Sequence, residues 1–146
     1  MGTVSLYRVV RAPAERIFRA FVDPDALVKW LPPHGFTARI EHLDATPGGS
    51  FRMAFTNFTT RQTHAFGGTY LEVVDGERLC YTDTFDDPSL PGQMITTVSL
   101  QAVPGGTALS IVQEGIPEAI PESACHLGWQ ASLELLVRLV EAAVEE

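Results

Sequence analysis

The chain has 146 residues, 45% hydrophobic and 19% charged, a balance that fits one folded domain with a sizeable core and not a disordered polymer. Its formal net charge of −8 argues against nonspecific binding to nucleic acid or anionic membranes, both of which need basic surface. No apolar run approaches the roughly 20 residues that span a bilayer, Met1 to Ser5 lack the apolar stretch of a signal peptide, and Leu6 breaks a Gly2 myristoylation pattern. Cys80 and Cys125 lie far apart with no second metal-ligand pair, so both are expected to be reduced core residues of a cytoplasmic protein.

Along the chain, Leu6 to Val10 predicts a short first strand. Pro13 suits a first helical turn, and Ala14, Ile17, Phe18 and Phe21 form an apolar stripe opposite Glu15 and Arg19. Asp23-Pro24 restarts the pattern as cap and first helical residue of a second short helix ending near Trp30, and Leu31-Pro32-Pro33-His34-Gly35 stops it. Strands follow over Phe36 to Asp44, around Phe51, Met53 and Phe55, over Thr63 to Val74 and over Leu79 to Phe85. The paired glycines Gly67-Gly68 predict a bulge or close backbone approach, and hence a bend, in the third of these. Asp86 to Gly92 is the longest loop, expected near a cavity mouth. Gln93 to Val103 and Thr107 to Gln113 are two more strands, and Pro117 and Pro121 break the chain before a final helix.

That last segment, Pro121 to Glu146, carries most of the architectural information. With Trp129 as reference on a helical wheel, Cys125, Leu133, Leu136, Val140, Ala143 and Val144 share its face, while Glu134, Arg138, Glu141 and Glu145 lie opposite. A long amphipathic helix after a run of strands must bury its stripe against the sheet. If the sheet curls around it, the space between becomes a ligand chamber.

Arg11-Ala12-Pro13-Ala14-Glu15-Arg16-Ile17-Phe18 and Asp23-Pro24-Asp25-Ala26-Leu27-Val28-Lys29-Trp30 resemble the opening of the START-like, birch-pollen-allergen-like (SRPBCC) superfamily. Gly48-Gly49-Ser50-Phe51, Gly68-Thr69-Tyr70-Leu71-Glu72-Val73, Glu77-Arg78-Leu79 and Gly128-Trp129 are similar to the branch named after the activator of the Hsp90 ATPase. The resemblance covers nearly the whole chain and implies one α+β helix-grip domain over 1–146, a curved antiparallel sheet wrapped around the C-terminal helix above a cavity. Superfamily members bind lipids, hormones or polyketides, and some catalyse cyclisation or hydrolysis. The branch name implies co-chaperone action, but eukaryotic members resemble two-domain proteins with a separate Hsp90-binding domain for which this chain has no room. Fold similarity does not settle function.

The expected cavity lining is Phe51, Met53, Phe55, Phe66, Tyr70, Tyr81 and Met94 from the strands, with Trp129 and Leu133 from the last helix and Trp30 from the second. Aromatic and methionine side chains give large, adaptable apolar surface suited to hydrophobic ligands, although the same residues would also fill a solid core. His126, ~60° from Trp129 on the wheel, stands at the stripe's edge, as does Gln130. Gln113 alternates in phase with Leu109 and Ile111 and so points inward near the sheet's end, to meet a ligand or a backbone group. Asp83 shares a strand face with Tyr81 and Leu79. If that face is inward, the carboxyl becomes a functional candidate with a raised pKa; in the reversed phase Thr82 and Thr84 face in and Asp83 meets water.

Other chemistry finds little support. His34, His42, His64 and His126 are scattered without helical zinc spacing, and no nucleophile elbow or activated cysteine exists. Gly48-Gly49 and Gly67-Gly68 do not lead from strand into helix, so they are turn and bulge residues and not phosphate loops. The expectation is a cofactor-free, non-enzymatic binder of a small apolar or amphipathic molecule. Behind it stand a cyclase- or hydrolase-like enzyme using Asp83 or His126, and a chaperone-interacting module. Open sheet edges leave a homodimer open.

Overall fold

The computed structural model describes residues 2–145. Strand β1 (Gly2–Val10) leads into helices α1 (Ala14–Val22) and α2 (Pro24–Trp30). Six strands follow: β2 (Phe36–Leu43), β3 (Ser50–Asn57), β4 (Thr63–Val74), β5 (Arg78–Phe85), β6 (Met94–Val103) and β7 (Gly106–Ile116), and helix α3 (Glu122–Glu141) closes the chain. The strands form one seven-stranded antiparallel sheet in the order β1-β7-β6-β5-β4-β3-β2, and α3 lies against it in the helix-grip arrangement.

Local chemistry accounts for each turn of the path. Asp23 caps α2 by accepting the Asp25 backbone N–H at 2.9 Å, with Pro24 as first helical residue. The stripe of α1, Ile17, Phe18 and Phe21, is buried as its spacing predicts. Trp30 sits fully buried beside it, its ring edge-on to Phe21 at 4.7 Å and its indole N–H donating to the Ala20 carbonyl at 2.8 Å. That last bond satisfies the polar end of a side chain otherwise wholly inside the core.

Bends in the sheet come from register shifts in β2, between Ile40 and His42, and in β4, between Tyr70 and Glu72. The β4 shift lies three residues beyond the glycine pair, where the sequence suggested it. The glycines serve close approach instead: a Cβ on Gly67 would stand 2.7 Å from the Phe51 carbonyl oxygen, and one on Gly68 would overlap the Thr82 carbonyl. Two strands are longer than their sequence signals. β1 begins at Gly2 and β7 runs to Ile116, because the two strands pair with each other to those ends.

The final helix is shorter than expected. It ends at Glu141, where Arg16 of α1 donates from Nε to the Val140 carbonyl (2.7 Å) and from Nη2 to the Ala142 carbonyl (2.8 Å). Those bonds satisfy carbonyls that a helix end leaves free. Ala143 and Val144, assigned to the apolar stripe by the wheel, therefore lie beyond the helix and are exposed. Trp129, Leu133, Leu136 and Val140 do form the buried stripe. Ser132 joins it, donating to the Leu31 carbonyl at 2.6 Å and so fixing α3 to the end of α2. No described helix is long and apolar enough to cross a membrane.

Candidate functional site

Between the inner face of the sheet and α3 lies a cavity of about 340 Å³. Its walls are overwhelmingly apolar. Phe51, Met53 and Phe55 of β3, Phe66 and Tyr70 of β4, Tyr81 of β5, Met94 of β6 and Trp129 of α3 all border it, as their alternation or wheel position suggested. Exposed His64 and Ala124, with half-buried Pro33, Phe36, Phe85 and Ile120, mark the open end. The loop from Asp86 to Gly92 contributes nothing to this cavity. Asp86, Asp87 and Leu90 line a separate, more polar depression that shares His64 and Phe85 with it, and Asp86 is held there by an ion pair with Arg52 of β3.

The aromatic side chains pack mostly edge to face. Phe51, Tyr70 and Tyr81 form a three-way cluster with ring centroids 5.5, 5.6 and 6.0 Å apart, and Phe66 stands between Phe55 (4.8 Å) and Phe85 (6.1 Å). Tyr70 and Tyr81 are cross-strand partners, which sets their rings side by side on the cavity face.

Besides His64 at the open end and Ser132, which is bonded to the Leu31 carbonyl, polar groups enter this wall in two places. At one, Gln113 of β7 is the hub of a buried network. Its Oε1 accepts from the Trp129 indole N–H at 3.0 Å and from the Cys125 thiol at 3.2 Å, and its Nε2 donates to Thr96 Oγ1 at 2.9 Å. Thr96 is in turn hydrogen-bonded with the Tyr81 hydroxyl. Gln113 thus joins β7, β6, β5 and α3 through side chains alone, and its polar atoms are used by protein partners.

The other is Asp83, and it has no such satisfaction. The strand phase left open by the sequence resolves inward: Asp83 is 8% exposed, borders the cavity, and its Oδ1 has no hydrogen-bond partner among the described residues. Burial pushes its carboxyl up from 3.8 to about 8, against a smaller opposing pull from the Thr84 backbone N–H. Thr82 is also buried, but its hydroxyl faces the neighbouring strand and accepts the Thr69 backbone N–H at 2.9 Å. Thr84 is exposed. Burial likewise raises the Tyr70 and Tyr81 phenols above their ordinary range, so both stay neutral, and it raises the Cys125 thiol.

Four sequence candidates stand apart from the cavity. His126 and Gln130 hydrogen-bond each other at 3.1 Å along the outer edge of α3, away from the lining. The ~60° wheel offset that put His126 at the stripe's edge was enough to turn it out. Leu133 and Trp30 are core residues behind the lining rather than part of it. Conversely, Phe21, Leu27, Leu31, Pro33 and Phe36 from the α1-to-β2 segment line the cavity without having been singled out. Their apolar pattern was legible, but only the tertiary placement of the two short helices over one end of the sheet shows which of them reach inward. Among the described residues no cluster of histidine, cysteine or acidic side chains could hold a metal ion.

Comparison with known proteins decides the ancestry of this arrangement. Residues 11–141 match the model of the family described as Activator of Hsp90 ATPase homolog 1-like protein. The chain belongs to that family. It is a branch of the START-like (SRPBCC) superfamily, as the motifs around Asp23-Pro24 and Gly128-Trp129 indicated. The chain is 57% identical to protein CV1439 from Chromobacterium violaceum, with a TM-score of 0.96 and coverage of 97% of this chain and 98% of that one. An uncharacterised protein from Rhizobium leguminosarum is 25% identical over 96% and 94% of the two chains, with a TM-score of 0.79. A Rhodobacter sphaeroides protein at 22% identity, with a TM-score of 0.82 over 95% and 91%, shares the fold. A comparison with curated proteins finds no match.

Proposed function

We propose that this family member binds a small apolar or amphipathic molecule in the cavity between its sheet and α3. The observation that carries the reading is the cavity itself: about 340 Å³, walled by aromatic and methionine side chains, with one unsatisfied polar group. A volume at the lower end of the roughly 300–1,000 Å³ range of small-molecule sites fits a compact ligand better than a long-chain lipid. The ligand-binding role extends to Phe51, Met53, Phe55, Phe66, Tyr70, Tyr81, Asp83, Met94 and Trp129, the sequence candidates that border this space with their side chains free of the Gln113 hub or at its margin.

An enzymatic reading would need Asp83 and a second group to converge on one substrate. His126, the partner the sequence offered, lies outside the cavity, so binding is favoured over catalysis. A chaperone-interacting role has no support from this chain's own residues beyond the family's description. Native and denaturing mass spectrometry of protein purified from its own host is the direct test, with a stoichiometric apolar passenger expected. A hydrophobic-ligand screen yielding neither saturable binding nor thermal stabilisation would overturn the reading.

A further inference from the structure

Asp83 says more about the ligand than its apolar surroundings do. Among the described residues that line the cavity there is no lysine or arginine, and Asp83 is the sole acid. The titratable groups that face it are Tyr70 from β4 and Tyr81 two residues earlier on β5, both held neutral by burial, while the Cys125 thiol of α3, elsewhere in the wall, is bonded to Gln113. His64 stands at the open end, and Asp44, beyond Tyr70, adds a further negative charge. No protein cation therefore answers the carboxyl from any element packed against it. Beside it stand the rings of Phe51, Tyr70 and Tyr81, whose faces attract positive charge.

We propose that the cavity is built for an apolar body bearing one ammonium group, which pairs with the Asp83 carboxylate among the rings of Phe51, Tyr70 and Tyr81. The proposal rests on the small-molecule reading above and names the ligand's class. An ammonium supplies both the missing hydrogen-bond donor and the missing opposite charge. A carboxylate-headed ligand would carry its negative charge into an apolar cavity with no base to offset it, and would hold Asp83 un-ionised. A neutral hydroxyl could make one hydrogen bond but could not support ionisation of the acid. The chain's net charge of −8 favours the approach of cations.

The proton balance is explicit. In the free protein near pH 7 Asp83 holds its proton, and the incoming ammonium ion displaces it to solvent, one proton per ligand bound. Affinity for an amine should then rise about tenfold per pH unit below about 8, where the carboxyl titrates, and level off above it.

The test uses three probes with one body and different heads, 4-phenylbutylamine, 4-phenylbutanol and 4-phenylbutyrate, titrated calorimetrically into the full chain from pH 6 to 9. The amine should bind at least tenfold tighter than the alcohol at pH 8, with the pH slope above, and the butyrate should bind weakest. Asp83→Asn should abolish both the pH slope and the amine's advantage over the alcohol. The head-group ranking and the pH slope need no variant, so misfolding of Asp83→Asn would not shelter the idea. An alcohol that binds saturably with no advantage for the amine overturns the ammonium assignment alone. If none of the three binds, the small-molecule reading falls and this one falls with it.

Discussion

Replacing Asp83 by asparagine should stabilise the protein, and by an amount that grows with pH. The side chain keeps its size and loses only the capacity to ionise. In the folded state burial raises the carboxyl to about 8; in the unfolded chain it titrates near its ordinary 3.8. Between those values the folded state holds a proton that the unfolded state has released, so this acid's contribution to stability falls as pH rises and becomes constant above about 8. The slope for one proton is about 1.4 kcal/mol per pH unit, so the variant's advantage should widen by about 4 kcal/mol between pH 5 and pH 8. Asparagine's own hydrogen-bond needs add an offset that does not change with pH. Urea unfolding of both at pH 5, 6, 7 and 8 measures the gap. A gap constant to within about 0.5 kcal/mol across that range would mean that Asp83 is hydrated or paired, and would refute the reasoning.

Three other changes probe the frame around the cavity. Gln113→Ala leaves the buried Trp129 N–H without an acceptor and removes the donor to the Thr96 hydroxyl, and should cost about 2 kcal/mol or more in urea unfolding; a loss under about 0.5 kcal/mol would mean the network contributes little. Gly68→Ala drives a methyl group into the Thr82 carbonyl, so soluble yield and Tm should drop sharply, by more than the roughly 1 kcal/mol of an average substitution, and an unchanged Tm would contradict the β4–β5 spacing described. Arg16→Ala frees the carbonyls of Val140 and Ala142, and amide exchange should quicken in the last turn of α3 while the sheet stays protected; uniform protection throughout would show that the cap is dispensable.

The fold was legible because its signals are periodic. Alternation in β3 and the stripe of α3 each place several residues at once, so an error at one position is outvoted. The site is a matter of single residues. The phase of β5 turned on whether Asp83 or its threonine neighbours faced inward, and composition favours threonine; only the pairing of Tyr81 with Tyr70 and of Asp83 with Met94 decides it. His126 failed for a related reason, since a wheel gives angles about an axis and not the depth to which a neighbouring sheet wraps it. The α1-to-β2 contribution to the cavity was out of reach of any local pattern, because it depends on helices packed across sequence-distant strands.

Two glutamates give α3 a role in the order of assembly. Glu122 at its start accepts the Thr3 backbone N–H at 2.7 Å, and Glu141 at its end accepts the Arg11 backbone N–H at 2.9 Å, so both ends of β1 are fastened to the last helix. The strand's ladder partner is β7, about a hundred residues downstream. β2 to β7, by contrast, each pair with the strand made just before or just after, and closing those short loops is quick. During synthesis β1 therefore precedes its ladder partner by about a hundred residues, and the cavity can be completed only after β7 and α3 have been made.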